Sequence, residues 1–163
     1  MSRIRLAAAL AVSLLVFAAC GEDDPAISTD DHQETDFAFG EPGEAAEADR
    51  VIELVTNDVF RFEPDTFAVT LGETITFRVT NGGVATHDFT LGDLATQEEH
   101  AAVMAQMGPA AMTMPDEPNA FVLQVGETKE LTWTFSVAGE VLIGCHQPGH
   151  YEAGMVATIA VTG

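Results

Sequence analysis

A group of sulfur and imidazole side chains near the C-terminus has the types and spacing of a metal site. Cys145, His150 and Met155 stand five residues apart on a segment that proline and glycine residues interrupt. Turns at such residues can bring successive side chains back toward one point. Thiolate, imidazole and thioether ligands together favour copper over magnesium or calcium. The spacing therefore predicts a copper site in this segment.

A fourth ligand is expected from an upstream segment, where His87 follows the strand-breaking residues 81–83. Two histidines and a cysteine in one plane, with a distant axial methionine, form the arrangement of blue-copper sites. Two alternatives stay open. Zinc would use cysteine and histidine but would leave Met155 without a role. Without any metal, Cys145 would be a small buried apolar side chain of a β-sandwich adhesion module.

The elements that must position these ligands are short β-strands separated by glycine turns. Alternating or β-rich runs predict an all-β antiparallel sandwich or barrel; they lie at residues 51–55, 66–71, 74–80, 121–125, 128–135, 139–144 and 156–162, with a further strand near Phe89. One segment departs from this pattern. Thr96 and Glu99 have the spacing of a capping box and predict a helix that ends near Met107, before Gly108 and Pro109.

On these residues the chain from Val51 to Gly163 resembles the cupredoxin family. The resemblance implies a Greek-key β-sandwich with one type 1 copper at one end, and it carries the ligand roles onto four residues: His87, Cys145, His150 and Met155. The helical excursion is similar to that of single-domain exported cupredoxins associated with bacterial copper tolerance. Asp88 follows the first histidine where the family often has asparagine. A carboxylate there can accept a hydrogen bond from a loop N–H group but cannot donate one.

The N-terminal residues predict export. Arg3 and Arg5 precede an apolar run that is shorter than the about 20 residues of a membrane span. The run ends at Cys20 in a sequence that resembles a bacterial lipobox, so we expect residues 1–20 to be a lipoprotein signal peptide and Cys20 to be lipidated. Residues 21–49 contain acidic but no basic side chains, and they predict a disordered tether ahead of a domain at 50–163.

The charge of the chain excludes some partners. Asp and Glu total 26 against six Lys and Arg, and the net charge is −20. This balance excludes nucleic-acid binding, which requires a basic surface. It favours instead a positively charged partner, either a redox protein or a copper donor or acceptor. We expect a monomeric, non-enzymatic protein, exported and either lipid-anchored on the outer face of the cytoplasmic membrane or free in the periplasm or outside the cell.

A methionine-rich segment suggests a second hypothesis beside electron transfer. His100, Met104 and Met107 share one face of the predicted helix, and Met112 and Met114 follow. These side chains either pack the helix onto the sheet or form a second, Cu(I)-selective site. The second outcome would indicate copper tolerance or delivery, whereas the first leaves a one-electron carrier as the simplest function.

Overall fold

The computed structural model describes residues 37–163, which form two β-sheets and one α-helix. The strands are β1 Gly40–Pro42, β2 Arg50–Asn57, β3 Arg61–Glu63, β4 Thr66–Thr70, β5 Thr74–Asn81, β6 His87–Gly92, β7 Ala120–Leu123, β8 Thr128–Phe135, β9 Gly139–Gly144 and β10 Val156–Thr162. The helix α1 spans Leu94–Met107, and short 3₁₀ segments cover Ala45–Glu47 and Gly108–Thr113. Within this part of the chain, no helix has the length and apolarity that crossing a bilayer requires.

The two sheets have five strands each. The first has the order β1-β8-β5-β2-β3, and the second has the order β4-β10-β9-β6-β7. Neighbouring strands are antiparallel except for the pairs β2–β5 and β4–β10, which are parallel. The prediction of a β-sandwich is confirmed, but its description as antiparallel is wrong at these two pairs. Hydrophobic alternation specifies which face of a strand is buried and says nothing of the direction of its neighbour.

The core lies between the two sheets and follows the alternation of the strands. In β5 the side chains of Ile75, Phe77 and Val79 are fully buried, and in β8 those of Trp133 and Phe135 are fully buried. Because successive residues of a strand point to opposite faces, one face of each strand supplies the core. The register pairs Ile75 with Trp133, so the largest core side chain lies beside a β-branched neighbour.

The N-terminal boundary of the domain lies earlier than predicted. Within the predicted tether 21–49, β1 pairs with β8, and Phe39 is 3% exposed. The Phe39 ring stacks on Trp133 with a centroid separation of 4.9 Å, and Phe37 contacts the same indole at 5.1 Å. These aromatic contacts bring the segment from residue 37 into the domain in spite of its acidic composition. The predicted signal peptide, Cys20 and the first part of the tether lie outside the described residues.

The helix begins two residues before the predicted capping box. Asp93 is the N-cap, and its carboxylate accepts hydrogen bonds from the backbone N–H and the hydroxyl of Thr96, each at 2.9 Å. Aspartate is among the strongest N-cap residues, so it replaces Thr96 in that role. The predicted C-terminus at Met107 is confirmed. The helix packs beside β6 and β9, the two strands that lead to the predicted ligands.

Candidate metal centre

Two neighbouring strands and one loop bring three of the predicted ligands together. His87 is the first residue of β6, and Cys145 directly follows β9. These strands are antiparallel neighbours, with Thr90 opposite Gly144, so the start of one lies near the end of the other. The loop between β9 and β10, which we call the ligand loop (residues 145–155), then returns His150 to the same end of the sandwich.

The ligand atoms of these three residues converge in the buried end of the domain. Sγ of Cys145 lies 3.3 Å from Nδ1 of His150 and 4.0 Å from Nδ1 of His87. The two Nδ1 atoms are 3.3 Å apart. Cys145 and His87 are fully buried, and His150 is 9% exposed. His87, Cys145 and His150 therefore form a group that could hold a metal ion.

The spacing of these atoms fits a trigonal metal. Bond lengths of about 2.0 Å to nitrogen and about 2.3 Å to sulfur, at about 120°, separate two nitrogens by about 3.5 Å and nitrogen from sulfur by about 3.7 Å. The observed nitrogen–nitrogen separation of 3.3 Å is close to the first value, and the observed nitrogen–sulfur separations of 3.3 and 4.0 Å lie on either side of the second. A donor set of one sulfur and two imidazole nitrogens is also that of blue-copper sites. The residues present therefore fit copper.

Backbone hydrogen bonds connect Met155 to two of these three residues. The N–H group of Cys145 donates to the Met155 carbonyl at 3.1 Å, and the Met155 N–H group donates to the His150 carbonyl at 3.0 Å. Met155 is fully buried and belongs to the same core cluster as Cys145. The fold thus places this residue against both partners, while coordination by its thioether stays a prediction.

Burial determines the protonation of the three groups. It is the largest cause that raises the pKa of the Cys145 thiol well above its ordinary value, and the Asp88 carboxylate adds to it. Burial likewise lowers the pKa of His87, with a further contribution from His150, and it lowers the pKa of His150. A neutral thiol and neutral imidazoles are expected at neutral pH. Because the thiolate is the metal ligand, metal binding must displace the thiol proton.

Asp88 joins the two ligand segments through hydrogen bonds that its carboxylate accepts. One carboxylate oxygen accepts from the backbone N–H groups of His146 at 2.8 Å and Gln147 at 2.9 Å. The other accepts from the Thr90 hydroxyl at 3.2 Å, and the Asp88 N–H group donates to Cys145 Sγ at 3.4 Å. Asp88 is fully buried. These bonds fix the backbone beside His87 and beside Cys145. The hydrogen bond from the Asp88 N–H group to Sγ would tune the redox potential of a bound metal.

The side chain of His146 is engaged away from the ligand group. Its Nε2 atom lies 2.7 Å from the Gln97 side-chain oxygen, and its ring stacks on Tyr151 at 4.6 Å. Gln97 also donates to the carbonyl groups of Thr90 and Leu142. Gln97 thereby ties the helix to both ligand strands. Gln97 was not predicted as part of the site, because a polar position on a predicted helix gives no signal of burial.

The methionine-rich segment is divided by the fold. Met104 and Met114 are buried in a small apolar cluster with Ala111 and Val122, and Met107 packs against it. Met112 lies outside this cluster and is 47% exposed. Packing of the helix by methionine is thus observed, whereas the second Cu(I) site stays a prediction.

His100, the remaining member of the predicted second site, faces carboxylates. Its Nε2 atom lies 3.5 Å from the Asp88 carboxylate, and its Nδ1 atom lies 3.9 Å from the Glu117 carboxylate. It is 6% exposed, and its ring lies 5.4 Å from that of His146. His100 therefore lies behind Asp88, on the helix side of the metal centre.

A comparison with protein families covers the residues that form the metal centre. The family model described as copper binding proteins of the plastocyanin/azurin family matches residues 49–162. The chain belongs to this family. The resemblance to cupredoxins is thereby confirmed: the family binds copper, and the His–Cys–His group could hold it.

Two relatives of the chain are named as copper-resistant cuproproteins. The chain is 35% identical to the copper-resistant cuproprotein CopI of Pseudomonas aeruginosa, with 96% of each chain covered. It is 36% identical to the copper-resistant cuproprotein CopI of Rubrivivax gelatinosus, over 78% of this chain and 76% of the relative.

Solved structures support the fold. Dithionite-reduced auracyanin from Roseiflexus castenholzii matches with a TM-score of 0.61 at 23% identity, over 71% of this chain and 99% of the other. Auracyanin A of Chloroflexus aurantiacus, described as a blue copper protein, matches with a TM-score of 0.56 at 30% identity, over 69% of this chain and 98% of the other. The predicted cupredoxin sandwich is confirmed.

Proposed function

We propose that this cupredoxin is a one-electron carrier outside the cytoplasmic membrane, with a mononuclear type 1 centre. His87, Cys145, His150 and Met155 would hold the copper ion. The convergence of one Sγ and two Nδ1 atoms within 4.0 Å, in a group that is at most 9% exposed, carries this proposal.

The chain supplies a rigid and dry ligand group. A bound copper ion would supply the reversible one-electron change, and the protein's part is to keep the ligand positions alike in both states. The Asp88 carboxylate fixes the backbone after Cys145, and the Cys145 N–H group is fixed to the Met155 carbonyl. Burial excludes water from His87, at the start of β6, and from Cys145, directly after β9. Ligands that move little suit electron transfer, and hydrogen bonding at the sulfur tunes the potential.

Location outside the cytoplasm is supported by the sequence pattern of residues 1–20 and by the spacing of Cys20 after its apolar run. We propose that Cys20 is lipidated and that the acidic segment after it holds the domain away from the membrane. Mass spectrometry of the mature chain tests this: a diacyl or triacyl modification on an N-terminal Cys20 is expected. An unmodified N-terminus elsewhere would contradict the anchor and leave the copper centre intact.

A second candidate function is copper tolerance or delivery. It is favoured by the names of the two relatives, which are copper-resistant cuproproteins. Thioether groups are soft ligands that select Cu(I). In this function the chain would bind or pass on copper, and its redox change would be incidental.

Voltammetry and Cu(I) titration of the purified chain separate the two functions. A reversible one-electron wave with one copper per chain supports the electron carrier. A second Cu(I) that is lost in the double variant Met104→Leu, Met107→Leu supports copper handling. Val103→Leu is the matched control, because Val103 is a 40% exposed position of the same helix and carries no thioether. An irreversible wave would contradict the electron carrier, and a single Cu(I) in every variant would contradict the second site.

A further inference from the structure

The turn between β2 and β3 covers the most exposed of the three converging ligands. The ring of Phe60 lies over the imidazole of His150, with 4.3 Å between centroids and an interplanar angle of 32°. His150 is 9% exposed, whereas His87 and Cys145 are fully buried. An aromatic ring at this distance packs against the imidazole at a tilt and restricts its rotation.

Phe60 occupies a backbone conformation that is unfavourable for its side chain. Its φ angle is +58°, in the left-handed region where glycine is the usual residue. Among residues 37–163 it is the one non-glycine residue with a positive φ. A bulky residue in this region is held there by its surroundings, and such residues concentrate at functional sites. Packing of the turn alone would be met by a glycine without strain, so the ring itself needs an explanation.

On one side of Phe60, the turn is fixed to the segment that leads into His87. The Asp58 carboxylate accepts hydrogen bonds from the N–H groups of Val84 at 2.9 Å and Ala85 at 3.2 Å. A side chain at Gly83 would collide with the same carboxylate, so the approach requires glycine. The start of the turn is thereby connected to the first ligand segment.

On the other side, the turn is fixed to the ligand loop. Nη1 of Arg61 donates to the carbonyl groups of Phe60 at 2.7 Å and Ala153 at 2.9 Å. Asn57 closes the turn, since its side-chain oxygen accepts from the N–H groups of Val59 and Arg61, each at 3.2 Å. The Phe60 ring therefore sits between two anchored ends, each of which contacts a different ligand segment.

We propose that Phe60 is a positioning residue of the metal centre, whose ring holds the His150 imidazole in its ligand orientation. This inference rests on the proposed copper site. The two ends of the turn are hydrogen-bonded to the two ligand segments, and the Phe60 ring covers His150, the ligand nearest to solvent. Loss of the ring would let the imidazole rotate, so copper would leave faster and the ligand field would be less uniform.

The experiment compares copper-loaded wild-type protein with Phe60→Leu, Phe60→Gly and Phe60→Tyr. The rate of copper transfer to an excess of a chelator is measured with the copper–thiolate absorption band, and urea unfolding is measured on each metal-free protein. We expect about three- to tenfold faster copper loss for the leucine and glycine variants, with a broadened or shifted band. The tyrosine variant should retain the wild-type rate and band, since it keeps the ring. Val59→Ala, a 73% exposed neighbour in the same turn, is the matched control and should behave as wild type.

The glycine variant distinguishes positioning from general stabilisation. Glycine adopts a positive φ without strain, so the metal-free Phe60→Gly protein should unfold at a urea concentration at or above that of Phe60→Leu. Fast copper loss from this variant supports positioning by the ring. Copper loss that follows the urea midpoint across all variants, the tyrosine variant included, would overturn it, as would wild-type rates and bands in the leucine and glycine variants. A wild-type protein without a copper–thiolate band would contradict the proposed function itself.

Discussion

Two replacements of Asp88 should separate the effect of the hydrogen bonds that this carboxylate accepts from the effect of its negative charge. In Asp88→Ala the N–H groups of His146 and Gln147 lose their shared acceptor in a buried position. A hydrogen bond to a charged group contributes about 1.5–3 kcal/mol. Loss of two such bonds should lower the free energy of unfolding by about 3–6 kcal/mol, a large part of the stability of a typical domain.

Asp88→Asn should be much milder, because the amide oxygen can still accept both N–H groups. The amide nitrogen would replace the oxygen that now accepts from Thr90, and a hydroxyl group can accept as well as donate. Only the charge assistance is lost, so we expect a decrease of about 1–2 kcal/mol. The contrast between the two variants does not depend on the absolute stability of the domain.

Urea unfolding of the metal-free proteins, followed by the fluorescence of the buried Trp133, measures both values. Glu140→Ala, at an exposed acidic position of β9, is the control for the loss of one negative charge. A cost of less than about 1 kcal/mol for Asp88→Ala, or equal costs for the alanine and asparagine variants, would refute this role of the Asp88 hydrogen bonds. In the second case charge rather than hydrogen bonding would dominate.

Two further predictions concern residues that are not among the four predicted copper ligands. The side-chain hydrogen bond from Arg50 is the largest cause that lowers the pKa of Glu73 below its ordinary value of 4.5, so its contribution to stability is present above about pH 4.5 and is lost as the pH falls through the lowered pKa. Unfolding free energies measured from pH 7 to pH 3 should therefore converge for wild type and Glu73→Gln, and a constant difference would contradict this assignment. Met104→Ala should lower the free energy of unfolding by about 2–5 kcal/mol because Met104 is 4% exposed, whereas Met112→Ala should cost less than about 0.5 kcal/mol. Equal costs in urea unfolding would show that the methionine cluster does not pack as described.

The strands that were predicted most closely are those with a clean alternation of apolar side chains. The strand predicted at residues 128–135 is observed with the same bounds as β8, and the last two predicted strands also agree with β9 and β10. By contrast, β1 has three residues, and two of them are Glu41 and Pro42. Such a strand depends on its partner β8 and on the contact of Phe39 with Trp133, neither of which a local pattern contains.

The ligands of the centre could be predicted because their chemistry is carried by residue types and spacing. The residues that hold these ligands in place could not be predicted from the sequence. Phe60 gives no sequence signal, since its positive φ results from tertiary contacts of the surrounding turn. Gln97 is 1% exposed on a helix whose buried face also contains His100 and Met104, so its burial does not follow from hydrophobic periodicity. Tertiary contacts decide such positions, which is why they appear only in the structure.

The visible spectrum of the copper-loaded chain beside Cys145→Ser tests the central claim most directly. We expect an intense thiolate-to-copper band in the wild type, because Cys145 Sγ and the two Nδ1 atoms converge within 4.0 Å. The band should be absent in Cys145→Ser, which keeps both histidines and replaces only the sulfur. A folded wild-type protein that binds Cu(II) without this band, or a serine variant that retains it, would contradict a copper centre built on Cys145.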